Sequence, residues 1–256
     1  MLHHDTLYWL RSATEVMALL QATNQQNITN SLSDLQDIRM APPTLYSNAL
    51  STPSRFVRLI ANIIGVELKI VNIKEITKEM RTPEMLEKFP QHKIPALEDN
   101  GLFISESRAI AMYLVSKYGK DDSLYPKDLN KRVLVDQRLF FDVDLYSKIT
   151  QVFVPKFHGK QIEPNDIDKA KEGLETLDRM LDGKQWLAGD NVTIVDYSIA
   201  NCLLSLELNP ESGVDPKTYP NIKQWLSRVE TSNPKYVEHL REFRENVKQL
   251  LQRRNT

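Results

Sequence analysis

The stretch PQHKIPALEDNGLFI, residues 90–104, decides the predicted fold of this chain. Its turn residues Asp99-Asn100-Gly101 separate two short apolar runs, and this order predicts a β-hairpin. Pro95 opens the first run, where a cis Ile94–Pro95 bond would turn the backbone N–H and C=O of Ile94 outward to pair with an extended peptide. The simpler alternative is an ordinary proline on an edge strand.

On the N-terminal side of the hairpin the pattern is strand, helix, strand. Residues 44–47 form a short β-type run, an apolar helical stripe then ends at Gly65, and residues 68–73 alternate as a half-buried strand does. After the hairpin, residues 110–117 keep helical spacing. Residues 42–120 therefore predict β-α-β followed by β-β-α, an order that resembles the thioredoxin fold.

The rest of the chain is predicted to be helical. Residues 121–129 carry turn residues without an apolar stripe and predict a linker, whereas residues 130–256 carry several apolar stripes at helical spacing. Thr193 and Asp196 start one of these helices as a capping box. Residues 1–41 hold one short apolar face and a polar tract, which predicts an N-terminal extension. The predicted fold class is α/β plus all-α.

The composition excludes several classes of function. Lys+Arg 33 against Asp+Glu 34 leaves a net charge of -1, so neither nucleic acid nor an anionic membrane is expected as a partner. Cys202, the single cysteine, lies on an apolar helical stripe and indicates a core residue, not a thiol-disulfide centre. The five histidines lack ligand spacing, so no metal is expected. No apolar window reaches the ~18 residues of a membrane span and no sorting signal is visible, which predicts a cytoplasmic protein.

Two predicted helix starts combine hydroxyl groups with backbone amides. Ser51 precedes Pro53 at the start of the first helix, where a negative charge is favoured. The run Ser105-Glu106-Ser107-Arg108 opens a later helix with amides and a hydroxyl for a carboxylate, and with Glu106 for an ammonium group. Capping alone is the alternative for both helix starts. The order of the two starts around the hairpin favours a binding site.

Four motifs in this order resemble those of the cytosolic glutathione transferases, most closely the insect delta and epsilon classes. They are SxPxR at 51–55, PQHKIPAL at 90–97, ESRAI at 106–110 and LAGDNVTIVD at 187–196. The resemblance covers residues 43–250. It implies a thioredoxin-like glutathione-binding domain, an all-helical domain, glutathione as co-substrate and no metal.

The resemblance also implies the roles of individual residues. The implied glutathione-binding set is Ser51, His92, Lys93, Ile94, Pro95, Glu106, Ser107 and Arg108. Ser51 is the implied catalytic residue, whose hydroxyl bonds the sulfur and favours its thiolate, the nucleophilic form. His92 would meet the glycyl carboxylate, and Ile94 would pair with the cysteinyl unit. Glu106 and Ser107 would hold the γ-glutamyl ammonium and carboxylate, with Arg108 near them.

The sequence departs from the family pattern at one binding position. The family often has a second histidine twelve residues before the one matched by His92, and Met80 stands there in this chain. We therefore expect one contact to the glycyl end to be missing and the affinity for glutathione to be weaker.

The electrophile is expected to bind between the two domains, against a helix at about residues 130–150. The candidate pocket residues are Leu50, Tyr146, Phe153 and Phe157. A role only in the core is the alternative for the three aromatic residues.

The sequence thus predicts a detoxification-type transferase that joins the glutathione thiolate to small apolar electrophiles. One alternative is a non-catalytic ligand-binding protein of the same fold, and another is a glutathione-dependent isomerase or peroxidase. The resemblance further implies a homodimer in which the N-terminal domain of one subunit packs against the helical domain of the other.

Overall fold

A mixed sheet forms the N-terminal half of the computed structural model, which describes residues 41–254 and, apart from Phe157, the side chains up to residue 249. The strands are β1 (Thr44–Ser47), β2 (Lys69–Asn72), β3 (Ala96–Asp99) and β4 (Leu102–Ser105). Their order is β2-β1-β3-β4, with β1 parallel to β2, β3 antiparallel to β1, and β4 antiparallel to β3. The predicted hairpin is confirmed. The extension predicted at residues 1–41 lies, up to residue 40, outside the described residues.

Helices flank the sheet and make up the C-terminal half. The sheet half contains α1 (Thr52–Ile64), α2 (Ile76–Glu79), α3 (Pro83–Lys88) and α4 (Ser107–Tyr118). The C-terminal half contains α5 (Leu129–Phe157), α6 (Pro164–Leu181), α7 (Ile194–Leu204), α8 (Pro220–Ser232) and α9 (Pro234–Arg254), with short 3-10 turns between α7 and α8. The predicted thioredoxin-like domain followed by a helical domain is confirmed. No helix within residues 41–254 combines the length and the apolar character needed to cross a membrane.

Helix α5 is longer than the sequence pattern indicated. It continues past the expected end near residue 150 to Phe157 and includes Pro155 in its last turn. A proline costs a helix the backbone bond that its missing N–H would have made. Close to the C-terminus of α5 that loss affects only the final turn, so the helix continues through it.

Helix α1 is buried on two sides. Phe56 and Ile60 pack into the large core of the helical half, while Val57 and Ala61 pack with Leu45 of β1 in the core beneath the sheet. Its apolar residues therefore form one broad face that contacts both cores. Because α1 is held from both sides, the position of its N-terminus is fixed relative to both halves.

At the start of α7, a carboxylate from the first turn of the helix itself accepts several hydrogen bonds. Asp196 is fully buried and accepts the backbone N–H groups of Leu187 (3.0 Å) and Thr193 (2.9 Å) and the indole N–H of Trp225 (2.9 Å). Burial raises the pKa of the Asp196 carboxyl, although these hydrogen bonds favour its ionised form. The capping box predicted for Thr193 and Asp196 is confirmed.

Candidate functional site

Three loops meet at one edge of the sheet. The register places Tyr46 of β1 opposite Ala96 of β3, and Ala96 opposite Ser105 of β4. Because β1 and β4 run in one direction and β3 runs in the other, the chain leaves β1, enters β3 and leaves β4 at this same edge. The loops and helix starts there contain the residues singled out from the sequence, namely Ser51, His92, Lys93, Ile94, Pro95, Glu106, Ser107 and Arg108.

Ser51 is the N-cap of α1. Its Oγ accepts the backbone N–H of Ser54 at 3.4 Å, and its own backbone N–H donates to the carbonyl of Asn48 at 3.1 Å. A hydroxyl that accepts a capping bond keeps its proton for donation. The first turn of α1 contains no acidic residue, and the Ser51 side chain is half-buried. The site therefore offers an O–H donor and a helix N-terminus to an incoming anion.

Ser54, the other hydroxyl of the motif, faces the protein interior. It is fully buried, and its Oγ accepts the backbone N–H of Asn48 at 3.5 Å. The Asn48 side chain in turn donates to the carbonyl of Ile73 at 2.8 Å and accepts the backbone N–H of Leu50 at 2.9 Å. Ser54 and Asn48 thus fix the loop that presents Ser51.

A buried arginine lies directly behind the start of α1. Arg55 donates to the carbonyl of Leu50 (2.9 Å) and to the hydroxyls of Thr52 and Ser205 (both 3.2 Å), and its guanidinium stacks on the Phe243 ring at 4.3 Å. No carboxylate among the described residues forms an ion pair with it. Burial lowers the pKa of Arg55 to about 10, so it stays charged at neutral pH. The N-terminus of α1 therefore has a fixed positive charge directly behind it.

The helical half contributes a neutral histidine to the buried residues behind the start of α1. Asn201 donates its amide to the carbonyl of Thr52 at 2.8 Å, and its side-chain oxygen lies 3.0 Å from Nε2 of His239. Because the amide nitrogen of Asn201 is the donor to Thr52, its oxygen accepts, and His239 Nε2 carries the proton. Burial, with the nearby Arg55 and Arg58 charges, lowers the pKa of His239 to about 3.

The Ile94–Pro95 bond is cis, as the sequence predicted. Pro95 is buried and Ile94 is half-buried. Strand β3 begins only at Ala96, so the backbone of Ile94 takes no part in the strand pairing. Its pairing with an extended ligand remains a prediction.

His92 occupies the loop before β3 in an unusual backbone conformation. Its φ is 44°, in the left-handed region that residues other than glycine seldom adopt. Its ring lies between two partners, with Nε2 at 3.0 Å from Nη2 of Arg81 and Nδ1 at 3.3 Å from the carbonyl of Pro90. Lys93 beside it is exposed. Arg81 was not predicted from the sequence, since nothing in the linear pattern relates it to His92.

At the start of α4, one charged residue is exposed and another forms an ion pair in the interior. Glu106, with a φ of 70°, is exposed, and its carboxylate makes no capping bond to α4. Ser107 is buried and accepts a bond of 3.1 Å from Arg108. Arg108 also forms an ion pair of 2.7 Å with Asp142 of α5. Burial lowers the pKa of Arg108, but the charge of Asp142 outweighs this effect and raises it.

Asp142 is a residue of this region that sequence reasoning missed. It is completely buried and also accepts the hydroxyl proton of Ser198 from α7. Its position follows the apolar stripe Val135, Leu139, Leu145 on the buried face of α5. An acidic residue at a core-spaced position was the signal that could have revealed it, because a buried carboxylate needs a cationic partner.

The four candidate pocket residues have different surroundings. Leu50 is exposed, and Tyr146 is half-buried with its ring 5.4 Å from the Arg108 guanidinium. Burial raises the pKa of Tyr146 to about 12, so its hydroxyl is protonated at neutral pH. Phe153 is buried in the large core, and the side chain of Phe157 lies outside the described residues. The structure thus brings Tyr146 to the start of α4, whereas Phe153 packs with core residues.

Cys202 is buried in the same core. Burial, and then the charge of Asp142, raise the pKa of its thiol well above the ordinary value. It is the core residue that the sequence indicated, since a reactive cysteine needs an accessible thiolate.

This combination of a thioredoxin-like sheet, an open helix start and a helical second half defines the class of protein. Two family models match the chain: the glutathione S-transferase N-terminal domain over residues 41–116 and the C-terminal domain over residues 143–233. The chain belongs to the glutathione S-transferase family, which is a family of enzymes.

Relatives from insects agree with this assignment. Glutathione S-transferase D7 of Anopheles gambiae is 39% identical over 73% of this chain and 85% of its own, and that of Drosophila melanogaster is 36% identical over 80% and 92%. A delta-class glutathione transferase of Nilaparvata lugens aligns with a TM-score of 0.74 at 36% identity, over 82% of this chain and 99% of its own. A homolog from Drosophila mojavensis, solved with bound glutathione, aligns with a TM-score of 0.70 at 34% identity, over 81% and 95%.

Proposed function

We propose that this protein is a glutathione transferase that conjugates the glutathione thiolate to small apolar electrophiles. The observation that carries the proposal is the half-buried hydroxyl of Ser51 at the N-terminus of α1, whose proton is left for an anionic partner. A non-catalytic ligand-binding protein and a glutathione-dependent isomerase or peroxidase are not favoured, since the relatives above are named glutathione transferases.

Glutathione would lie along the sheet edge. Glu106, exposed and not used for capping, would pair with the γ-glutamyl ammonium, and Ser107 with the backbone at the start of α4 would receive the carboxylate. Arg108 orients Ser107 through their 3.1 Å bond. The backbone of Ile94 beside Pro95 would pair with the cysteinyl unit, which leaves the glycyl end near His92 and Lys93.

The chemistry would depend on the thiolate. The thiol proton leaves to solvent, and the remaining charge is stabilised by the Ser51 O–H and by the positive end of α1 with Arg55 behind it. The sulfur then forms a bond to the electrophilic carbon, and the leaving group departs with its electron pair. Most of the acceleration would come from the larger thiolate fraction and from holding both reactants together.

The electrophile would bind between the two halves. Leu50 on the loop before α1 and Tyr146 on α5 are the candidate walls that a ligand could reach, because Leu50 is exposed and Tyr146 is only half-buried next to Arg108. Phe153 and Phe157 remain predictions for the same pocket. We also propose a detoxification role and a cytoplasmic location.

Retention on immobilised glutathione, combined with turnover of an aromatic halide, tests the proposed function. A transferase is expected to bind the column, to be eluted by free glutathione and to release halide. Retention without turnover would indicate the non-catalytic alternative.

We further propose that the protein is a homodimer. Large apolar side chains are exposed on one stripe of α5 and on β4, namely Leu102, Phe103, Leu129, Val133, Phe140 and Val143. Phe140 is 79% exposed, and a stripe of exposed apolar side chains along α5 marks an interaction surface. Sedimentation at micromolar concentration is expected to give twice 29.6 kDa, and Phe140→Glu is expected to shift the protein to the monomer. A wild-type species of only 29.6 kDa would contradict the dimer.

The domain division from the sequence also stands as a proposal. It comprises an extension at 1–41, a glutathione-binding domain at 42–120, a linker at 121–129 and a helical domain at 130–256. The end of α4 at Tyr118 and the start of α5 at Leu129 support the placement of the linker.

A further inference from the structure

Arg81 brings a positive charge to the loop that holds His92. Its Nη2 lies 3.0 Å from His92 Nε2, and its side chain is exposed. In the described part of the chain no carboxylate forms an ion pair with Arg81. The exposed lysine Lys78 in the same segment has Glu75 at 4.0 Å. Arg81 is therefore a cation without an acidic partner, placed at the edge where glutathione is proposed to bind.

The hydrogen bond between Arg81 and His92 determines which of these two side chains is charged. A guanidinium donates and does not accept, so His92 Nε2 carries a lone pair and the imidazole is neutral. The remaining ring N–H, at Nδ1, faces the carbonyl of Pro90 at 3.3 Å. In this arrangement His92 has neither a positive charge nor a spare donor for a carboxylate. Arg81 retains its charge and its other N–H groups.

The neighbouring residue explains why an arginine is useful here. Met80, at the position where the family often has histidine, is fully buried among Ile73, Met85 and Phe89. It therefore offers no polar group to a ligand at this edge. Arg81, one residue later, is directed to the surface and reaches His92. The cation at this edge is therefore Arg81, next to the buried Met80.

On the basis of the proposed function, we propose that Arg81 binds the glycyl carboxylate of glutathione and that His92 positions its guanidinium. The planar guanidinium matches a carboxylate through two parallel N–H···O bonds. The lone pair of His92 Nε2 holds one N–H group and orients the others. Arg81 is thereby a specificity-determining residue for thiols that end in a free carboxylate.

The test compares Arg81→Gln with Lys78→Gln, which removes an exposed positive charge three residues away without altering the His92 contact. Two thiols are used, glutathione and its ethyl ester at the glycyl carboxylate, and both KM and the calorimetric Kd are measured. Arg81→Gln is expected to raise both constants for glutathione about two- to fivefold, as an exposed charge pair allows. It is expected to leave kcat and the constants for the ester unchanged. Lys78→Gln is expected to behave as the wild type with both thiols.

Two outcomes would contradict the proposal that Arg81 binds the glycyl carboxylate. Equal losses for glutathione and the ester would mean that Arg81 only supports the loop, and unchanged constants would mean that it does not bind the carboxylate. Arg81→Lys, which keeps the charge but not the planar pair, is expected to lie between the wild type and Arg81→Gln. If the wild type bound glutathione without turning over a halide, the transferase function would fail, while the calorimetric comparison would still decide the role of Arg81.

Discussion

Helices α1 and α7 begin with the same type of residue but complete their first turns differently. Ser51 caps α1, whose first turn has no acidic residue and which has the buried charge of Arg55 behind it. Thr193 caps α7, whose first turn contains the buried carboxylate of Asp196. The positive end of α7 is therefore neutralised by its own chain, whereas that of α1 remains available to another molecule.

This difference separates a structural cap from a candidate site. A hydroxyl at a helix start is compatible with both, so the cap itself does not distinguish them. What distinguishes them is whether the chain supplies the anion. Three substitutions examine this comparison, from the largest expected effect to the smallest.

Asp196→Ala opens the start of α7 and is expected to lower the free energy of unfolding by about 3–5 kcal/mol, because several buried donors lose their acceptor. Those donors include the backbone N–H of Leu187 and the indole N–H of Trp225. The measurement is urea unfolding followed by tryptophan fluorescence. Asp128→Ala is the matched control, since Asp128 caps α5 at the surface through Lys131 and is expected to cost about 0.5–2 kcal/mol. Equal losses of unfolding free energy in the two variants would mean that Asp196 contributes no more than an ordinary N-cap.

Ser51→Ala removes the O–H donor from the open terminus. A bond to a charged group contributes about 1.5–3 kcal/mol, so the pKa of bound glutathione is expected to rise by about one to two units and turnover near neutral pH to fall about ten- to a hundredfold. Affinity for glutathione is expected to change little, since Glu106, Ser107 and Ile94 are proposed to carry most of it. The thiolate absorbance of the bound tripeptide, titrated against pH, measures the shift.

Two controls accompany Ser51→Ala. Ser51→Thr keeps a hydroxyl and is expected to retain much of the activity. Ser54→Ala is expected to keep the wild-type pKa of bound glutathione, because the Ser54 hydroxyl is buried against Asn48. A wild-type pKa and rate in Ser51→Ala would contradict the catalytic role, and losses confined to Ser54→Ala would transfer that role to the other hydroxyl.

His239→Gln tests the buried residues behind the start of α1 through the pH dependence of the free energy of unfolding. The pKa of His239 is about 3 in the folded protein and about 6.5 when unfolded, so below pH 6.5 protons bind preferentially to the unfolded chain. The wild type is therefore expected to lose about 1–2 kcal/mol of stability through this group between pH 7 and pH 5. Gln keeps a donor for Asn201 but does not titrate, so the variant is expected to lack this component. Unfolding curves with the same pH slope for both proteins would show that His239 is not the group responsible.

Local patterns predicted the fold well. The hairpin around Gly101, the cis bond at Pro95 and the capping box at Asp196 all depend on residues close in sequence, where turn and capping rules apply. The order of the motifs favoured a binding site at the two helix starts, and the strand directions in the structure bring these starts to one edge of the sheet. Their chemical roles remain predictions.

The contacts between distant residues could not be predicted in this way. The pair Arg108–Asp142 joins residues 34 positions apart, and Arg55 contacts Ser205 across 150 positions. Such partners depend on how the helical half packs on α1, which no local pattern encodes. For Arg81 the separation is only 11 positions, but its partner His92 has a left-handed backbone conformation, which composition and periodicity do not indicate.

The two-sided burial of α1 limits how the chain can be divided. A fragment ending in the linker near residue 125 would keep all four strands but would expose Phe56, Leu59 and Ile60, which the helical half covers in the intact protein. Losing this burial costs about 1.5–3 kcal/mol for each large side chain, and a small domain has little stability in reserve. The sheet half is therefore not an interchangeable module, and a recombinant exchange of either half would need to retain the matching apolar surface along α1.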